Sequence, residues 1–153
     1  EGRRHAMYFD TAGHPTVGVG FNLDRPGARE VLAEVGASYS GVRAGVRTLT
    51  DQQIDELLSR DVADSLISAR AVCPVFDWLH VGAKLALIDM AYNLGRAGLA
   101  GFREMLAAIA EGDFPRAAAA ALSSKWARQV GRRARADVAL MLEIHQAKEG
   151  EGA

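Results

Sequence analysis

Residues 1–20, EGRRHAMYFDTAGHPTVGVG, decide how the chain is read. They carry a carboxylate at Glu1, a second at Asp10 and a hydroxyl at Thr16. Met7, Tyr8 and Phe9 form a short apolar run, and Asp10 to Pro15 is turn chemistry, with Gly13 able to take positive φ. Thr16-Val-Gly-Val-Gly20 then alternates β-branched residues with glycine. Glycine inside a strand usually marks a close approach of backbone or ligand. The stretch therefore reads as an antiparallel hairpin that presents Glu1, Asp10 and Thr16. A sheet this small is not stable alone and needs helices to pack on.

Helices follow. Asp24 and Pro26 read as a cap and first turn for a helix over 28–35, which Gly36 ends. Residues 37–49 read as irregular. Thr50-Asp-Gln-Gln53 is a capping box, in which hydroxyl and amide satisfy each other's exposed N–H groups. It opens a long helix with an apolar stripe at Ile54, Leu57, Leu58, Val62, Leu66 and Ala69, running to about Val72. A helix of some 20 residues spans roughly 30 Å, enough to connect a small sheet lobe to a second lobe. Beyond Pro74 come a short segment over 75–80 and a helix over 82–94, apolar nearly all round and closed by Gly95. Further helices follow over 102–110, 115–122 (capped by Asp113), 125–130 (capped by Ser123 or Ser124) and 132–147. Residues 149–153 read as a frayed tail.

The bulk composition agrees with one domain. The chain has 153 residues, 49% hydrophobic and 24% charged, with a net charge of −1. Nothing in that balance draws it to nucleic acid or anionic membranes. Lys125, Arg128, Arg132, Arg133 and Arg135 form a local basic strip that could meet an anionic ligand or be a solvated face with a few ion pairs. Cys73 stands alone, so no intrachain disulfide forms, and it reads as a buried apolar residue. No run is long enough to span a membrane and no signal peptide is visible. The start at Glu1, without Met, leads to the expectation of a segment upstream.

The chemistry narrows by elimination. Four scattered histidines, without His-Glu-x-x-His spacing, offer no metal site. There is no Gly-x-Ser-x-Gly elbow, and Gly18-x-Gly20 lacks the rest of a dinucleotide loop. Glu1, Asp10 and Thr16 remain. Acetal cleavage needs a protonated carboxyl for the leaving oxygen and a second group to steady the developing charge and place a water. From residue types alone, Glu, Asp and Thr near a hairpin are more often surface groups.

The chain resembles the phage-type lysozymes, the T-even bacteriophage lysozyme family (glycoside hydrolase family 24). The match runs through Glu1-Gly2, Tyr8-x-Asp10-Thr11-x-Gly13 and Thr16-Val-Gly-Val-Gly20. It continues through Asp61-Val62, Pro74-Val75, Ala86-Leu-Ile-Asp-Met-Ala-Tyr-Asn-Leu-Gly95 and Gly98-Leu-Ala-Gly-Phe102. It ends in Ala117-Ala118, Ser124-Lys-Trp126, Gln129 and Arg133-Ala134. The resemblance covers nearly the whole chain. It implies an α+β, lysozyme-like fold: a small three-stranded antiparallel sheet lobe (1–50), a connecting helix (51–73) and a larger all-helical lobe (74–153), with a cleft between the lobes.

It also implies hydrolysis of the β-1,4 bond between N-acetylmuramic acid and N-acetylglucosamine in peptidoglycan, with inversion. Glu1 would be the general acid, Asp10 would stabilise charge and position water, and Thr16 would help hold that water. Asn22 and Tyr92 resemble sugar contacts, and Arg133 resembles the basic partner of the catalytic Glu. Ser124 and Gln129 would face the peptide-bearing side of the substrate. No cofactor or metal is implied. The partner is peptidoglycan, with no nucleic acid and no membrane insertion, and the chain is expected to be a monomer. It would act at the cell wall or in the periplasm, being cytoplasmic before release or delivered there by another system.

Some positions depart from the family pattern. Phe21 stands where the best-known members carry His, which removes a His ion pair with Asp61. Ala120 stands where an Asn would reach sugar, and Glu1 has no helix before it. Alternatives are a non-catalytic peptidoglycan-binding or interaction protein on the same fold, or a lytic transglycosylase.

Overall fold

A computed structural model describes the backbone of residues 2–151 and the side chains of residues 2–143. The chain divides into two compact units, Glu1–Asp61 and Val62–Ala153.

The first unit holds a three-stranded antiparallel sheet, ordered β1 (Arg4–Phe9), β2 (Pro15–Gly18), β3 (Phe21–Asn22). Tyr8 pairs with Thr16 and Thr16 with Asn22, while an irregularity between Arg4 and Tyr8 bends β1. Val17, Phe21 and Leu23 bury against Leu32 of α1 (Ala28–Glu34), Val42 of α2 (Tyr39–Arg43), and Ile54 and Leu57 of α3 (Asp51–Val72). The capping box forms as the sequence predicts. The Gln53 amide N–H donates to Thr50 Oγ1 at 3.1 Å, and the Thr50 N–H donates to Gln53 Oε1 at 2.9 Å.

Three local expectations are corrected. Asp24 does not cap α1, because its carboxylate pairs with Arg43; the helix starts behind Gly27, which takes φ 79°. Residues 37–49 are not wholly irregular, since Ser38 accepts the Gly41 N–H at 3.1 Å and caps α2. Gly18 is required by its φ of 66° and not by crowding: a Cβ there would meet Ile54 at an ordinary 3.5 Å.

The chain after Glu1 is tied down within this unit. Arg3 pairs with Asp55 at 2.6 Å and His5 Nε2 with Asp51 at 2.8 Å, while the Leu49 N–H donates to the His5 carbonyl at 2.9 Å.

The second unit is helical. After α3 ends, a single 3₁₀ turn (Phe76–Trp78) leads into α4 (Val81–Ala100), α5 (Arg103–Ala110), α6 (Phe114–Leu122), α7 (Lys125–Val130) and α8 (Arg132–Glu151). Gly95 leaves helical geometry at φ 74°, and the helix resumes after it instead of ending there. Ala86, Leu87, Met90 and Ala91 of α4 bury against Ala117, Ala118 and Ala121 of α6 and against Ala134, Val138 and Met141 of α8. Small residues let these helices approach closely. A Cβ at Gly82 would overlap the Leu140 carbonyl oxygen of α8. Asp113 and Ser124 cap α6 and α7, accepting the Arg116 and Ala127 N–H groups, each at 3.1 Å. Cys73 is buried, and burial pushes its thiol pKa up. The tail expected from residue 149 is helical as far as Glu151, with Gly152 and Ala153 outside the described residues.

Candidate active site

In the first unit the candidate site is built around the backbone of His14. Asp10 ends β1, and its backbone N–H donates to the His14 carbonyl at 3.0 Å, closing the hairpin loop. Its carboxylate turns into that loop, where Oδ1 accepts the Ala12 N–H at 2.9 Å and the His14 N–H at 2.8 Å. Thr16, 2% exposed on β2, donates its hydroxyl to the His14 carbonyl at 2.9 Å. Two side chains six residues apart in sequence are thus anchored to the N–H and C=O of a single residue. The anchoring also sets their chemistry. With its proton committed, Thr16 Oγ1 offers lone pairs only, and the Asp10 carboxylate likewise accepts.

Asn22 lies opposite Thr16 on β3. Its Oδ1 accepts the Asp24 N–H at 2.8 Å, which fixes the amide so that Nδ2 is the outward donor. Glu1 lies outside the described residues.

The second unit brings Tyr92 and Arg133 together, with the Arg133 guanidinium 5.9 Å from the Tyr92 ring centroid. Arg133 has a partner that the resemblance did not suggest. Asp89 of α4 accepts from Arg133 Nε and Nη2, both at 2.8 Å, in a bidentate pair. Behind it sits Asp137 of α8, 3% exposed. The signal was present in the sequence: Asp89 is the one acid within the apolar run 81–95, where it needs a cation.

Ser124 lines a cavity of about 870 Å³ with Phe102, Met105, Arg116, Ala120 and Trp126. Its hydroxyl serves the α7 cap and donates to the Ala121 carbonyl at 2.6 Å. Trp126 is fixed by donating to Asn93 Oδ1 at 2.7 Å and by an edge contact with Phe102. Gln129 is exposed on α7 and is not among the cavity-lining residues. The ion pair that Phe21 removes is replaced. Arg25 lies 3.8 Å over the Phe21 ring and pairs with Asp61 at 2.9 Å. Among the described residues no cluster of His, Cys, Asp and Glu could hold a metal ion, and no helix is long and apolar enough to cross a membrane.

A mostly helical chain with a small three-stranded antiparallel sheet, carrying an Asp/Thr loop at its hairpin, has the α+β, lysozyme-like fold. The family model described as phage lysozyme matches residues 1–141, and the chain belongs to that family. Over 144 residues (88% of this chain) it is 31% identical to the pre-baseplate central spike protein Gp5 of Enterobacteria phage T4. Over 141 residues it is 25% identical to probable T4-type lysozyme 2 of Dictyostelium discoideum. It is 27% identical over 110 residues to peptidoglycan hydrolase gp36 of Enterobacteria phage SP6. The matched stretch is 24% of the spike protein, 83% of the Dictyostelium protein and 11% of gp36.

Proposed function

We propose that the chain is a muramidase that hydrolyses the β-1,4 bond between N-acetylmuramic acid and N-acetylglucosamine in peptidoglycan. The observation that carries the reading is the anchoring of Asp10 and Thr16 to the backbone of one residue, His14, within a chain of the phage lysozyme family. Names of relatives agree with it, one being a T4-type lysozyme and another a peptidoglycan hydrolase.

In this reading Glu1 protonates the leaving oxygen. Asp10 steadies the oxocarbenium-like charge and, with Thr16, orients a water whose attack from the opposite face inverts the anomeric centre. Asn22 and Tyr92 contact sugar, Arg133 serves Glu1, and Ser124 with Gln129 faces the stem peptide. The enzyme acts as a monomer on the cell wall.

The test is lysis of outer-membrane-stripped Gram-negative cells with mass spectrometry of the products. New reducing ends, lost in a folded Glu1→Gln variant, are expected. 1,6-Anhydro ends would select a transglycosylase, and muropeptide binding without new ends a non-catalytic binder.

A further inference from the structure

Asp89 and Asp137 face each other between α4 and α8, with one guanidinium, that of Arg133, to serve both. Asp137 is 3% exposed, and its Oδ2 has no hydrogen-bond partner. Asp89 and Arg133 are each about a third exposed, but an ionised Asp137 would place an unpaired charge in a buried position, which is costly, whereas a proton on Asp137 leaves none there.

Among the described residues, no other group around the pair supplies a second cation. The buried faces of α6 and α7 are apolar (Ala117, Ala118 and Ala121; Trp126 and Ala127). Of their cations, Arg116 pairs with Glu111, Arg128 reaches the Ser123 carbonyl and Lys125 is exposed. On α4, Lys84 lies by the Phe76 ring and Arg96 is exposed. His80 and Glu143 are at the other end of the α4–α8 contact, near Leu140 and Gly82. Arg132 and Arg135 share the first turn of α8 with Arg133, and both are exposed. The charges that act on Asp137 are those of Asp89 and Arg133.

We propose that Asp137 is a positioning residue: as the neutral acid it donates a hydrogen bond to Asp89, and Asp89, held from both sides, fixes the Arg133 guanidinium. The inference rests on the muramidase reading, through the role given there to Arg133. Titration follows the same geometry. Burial first, and then the charge and hydrogen bond of Asp89, push the Asp137 carboxyl up to about 8, with Arg133 opposing. Burial alone would raise Asp89, but its hydrogen bonds with Arg133 and Asp137 outweigh that and hold it below the ordinary carboxylate range. Loss of the proton at alkaline pH replaces the donor with a second anion. Asp89 and Asp137 then repel each other and compete for Arg133, and the guanidinium loses its fixed orientation.

The test compares the parent chain with Asp137→Asn and Asp137→Val across pH, by the rate of wall lysis. The ratio of the Asn rate to the parent rate cancels the titration of every other group. It should stay near one below about pH 7 and rise through the Asp137 midpoint at about 8, reaching about ten-fold one unit beyond it. Asp137→Val should lose lysis at every pH while keeping its near-ultraviolet circular dichroism. A carbon-13 titration of the Asp137 carboxyl gives a readout independent of activity, and should show the proton retained above pH 7. A flat Asn-to-parent ratio, an Asn variant as impaired as the Val variant, or an Asp137 that titrates as an ordinary carboxylate overturns the proposal. A parent that lyses walls at no pH overturns the muramidase reading instead, and the carboxyl titration still decides whether Asp137 donates to Asp89.

Discussion

Asp10 does two things at once, and a pair of substitutions separates them. Its Oδ1 organises the hairpin loop by accepting the Ala12 and His14 N–H groups at 2.9 and 2.8 Å. The proposed chemistry needs instead its negative charge. Asp10→Asn keeps a carbonyl oxygen where Oδ1 stands, so both backbone donors retain an acceptor and the loop survives. What falls is the charge assistance of those bonds, which should cost no more than about 1 kcal/mol. Asp10→Ala removes the acceptor altogether. Both freed donors lie in an exposed loop, where water can reach them, so no buried-donor penalty applies. Two hydrogen bonds at about 1 kcal/mol each then give a loss of about 2 kcal/mol.

Activity should fall the same way in both variants. Removing a preorganised group aimed at transition-state charge typically lowers the rate by about 10²–10³-fold, and neither variant supplies a carboxylate. Urea unfolding measures the first quantity, and turbidity loss of outer-membrane-stripped cells the second. An Asn variant that lyses at the parent's rate would remove Asp10 from the mechanism. An Asn variant as unstable as the Ala variant would refute the loop argument, because the amide oxygen would then not be replacing Oδ1.

Two further outcomes test packing. Gly82→Ala should destabilise the chain by about 2 kcal/mol in urea unfolding, because the new methyl overlaps the Leu140 carbonyl, a backbone atom that cannot swing aside. The helix-propensity gain of Ala over Gly, at most about 1 kcal/mol, does not offset this, and an unchanged midpoint would show that α4 and α8 part easily. Arg25→Ala should cost about 1–2 kcal/mol, since it strips the Phe21 ring and leaves a mostly buried Asp61 without that cation. Arg25→Lys should recover only the ion-pair part, because an ammonium cannot lie flat on the ring; full recovery by Lys would exclude the stacking contribution.

What the sequence revealed, and what it concealed, follows the range of the interactions. The Thr50–Gln53 box, the Asp113 and Ser124 caps and the Gly36 stop are each decided within four residues, and all form as read. Asp24 had the same local signature as a cap. A residue 19 positions away, Arg43, takes its carboxylate, and no local rule registers that competition. The five-residue α2 is too short for periodicity to declare it. Asp10 and Thr16 could be placed on a hairpin from the sequence because a hairpin loop is a local object, while the roles expected of them came from the family resemblance. The Asp89–Asp137 pair was not: Asp137 sits one helical turn from Arg133, where an acid usually reads as an ordinary surface ion-pair partner. Only the packing of α4 on α8 turns it inward.

The same distinction separates the two groups of candidate residues mechanically. Asp10 and Thr16 are held by the backbone of His14, so their geometry depends on the hairpin alone. Arg133 is held by side chains from two helices and by a proton between two carboxyls, so its geometry depends on how closely α4 and α8 approach. That spacing is set where Gly82 meets Leu140, on the helix that also carries Asp89. Widening the contact lengthens the Asp89–Asp137 hydrogen bond and lets water reach a carboxyl whose high pKa comes first from burial. Water lowers that pKa, and the acid ionises at a lower pH. In Gly82→Ala the alkaline fall in lysis, measured at denaturant-free stability sufficient to keep the chain folded, should therefore begin at lower pH than in the parent. The Asp10 loop would be unaffected. An alkaline limb that stays in place while stability falls would mean that Arg133 is held by something other than the packing of these two helices.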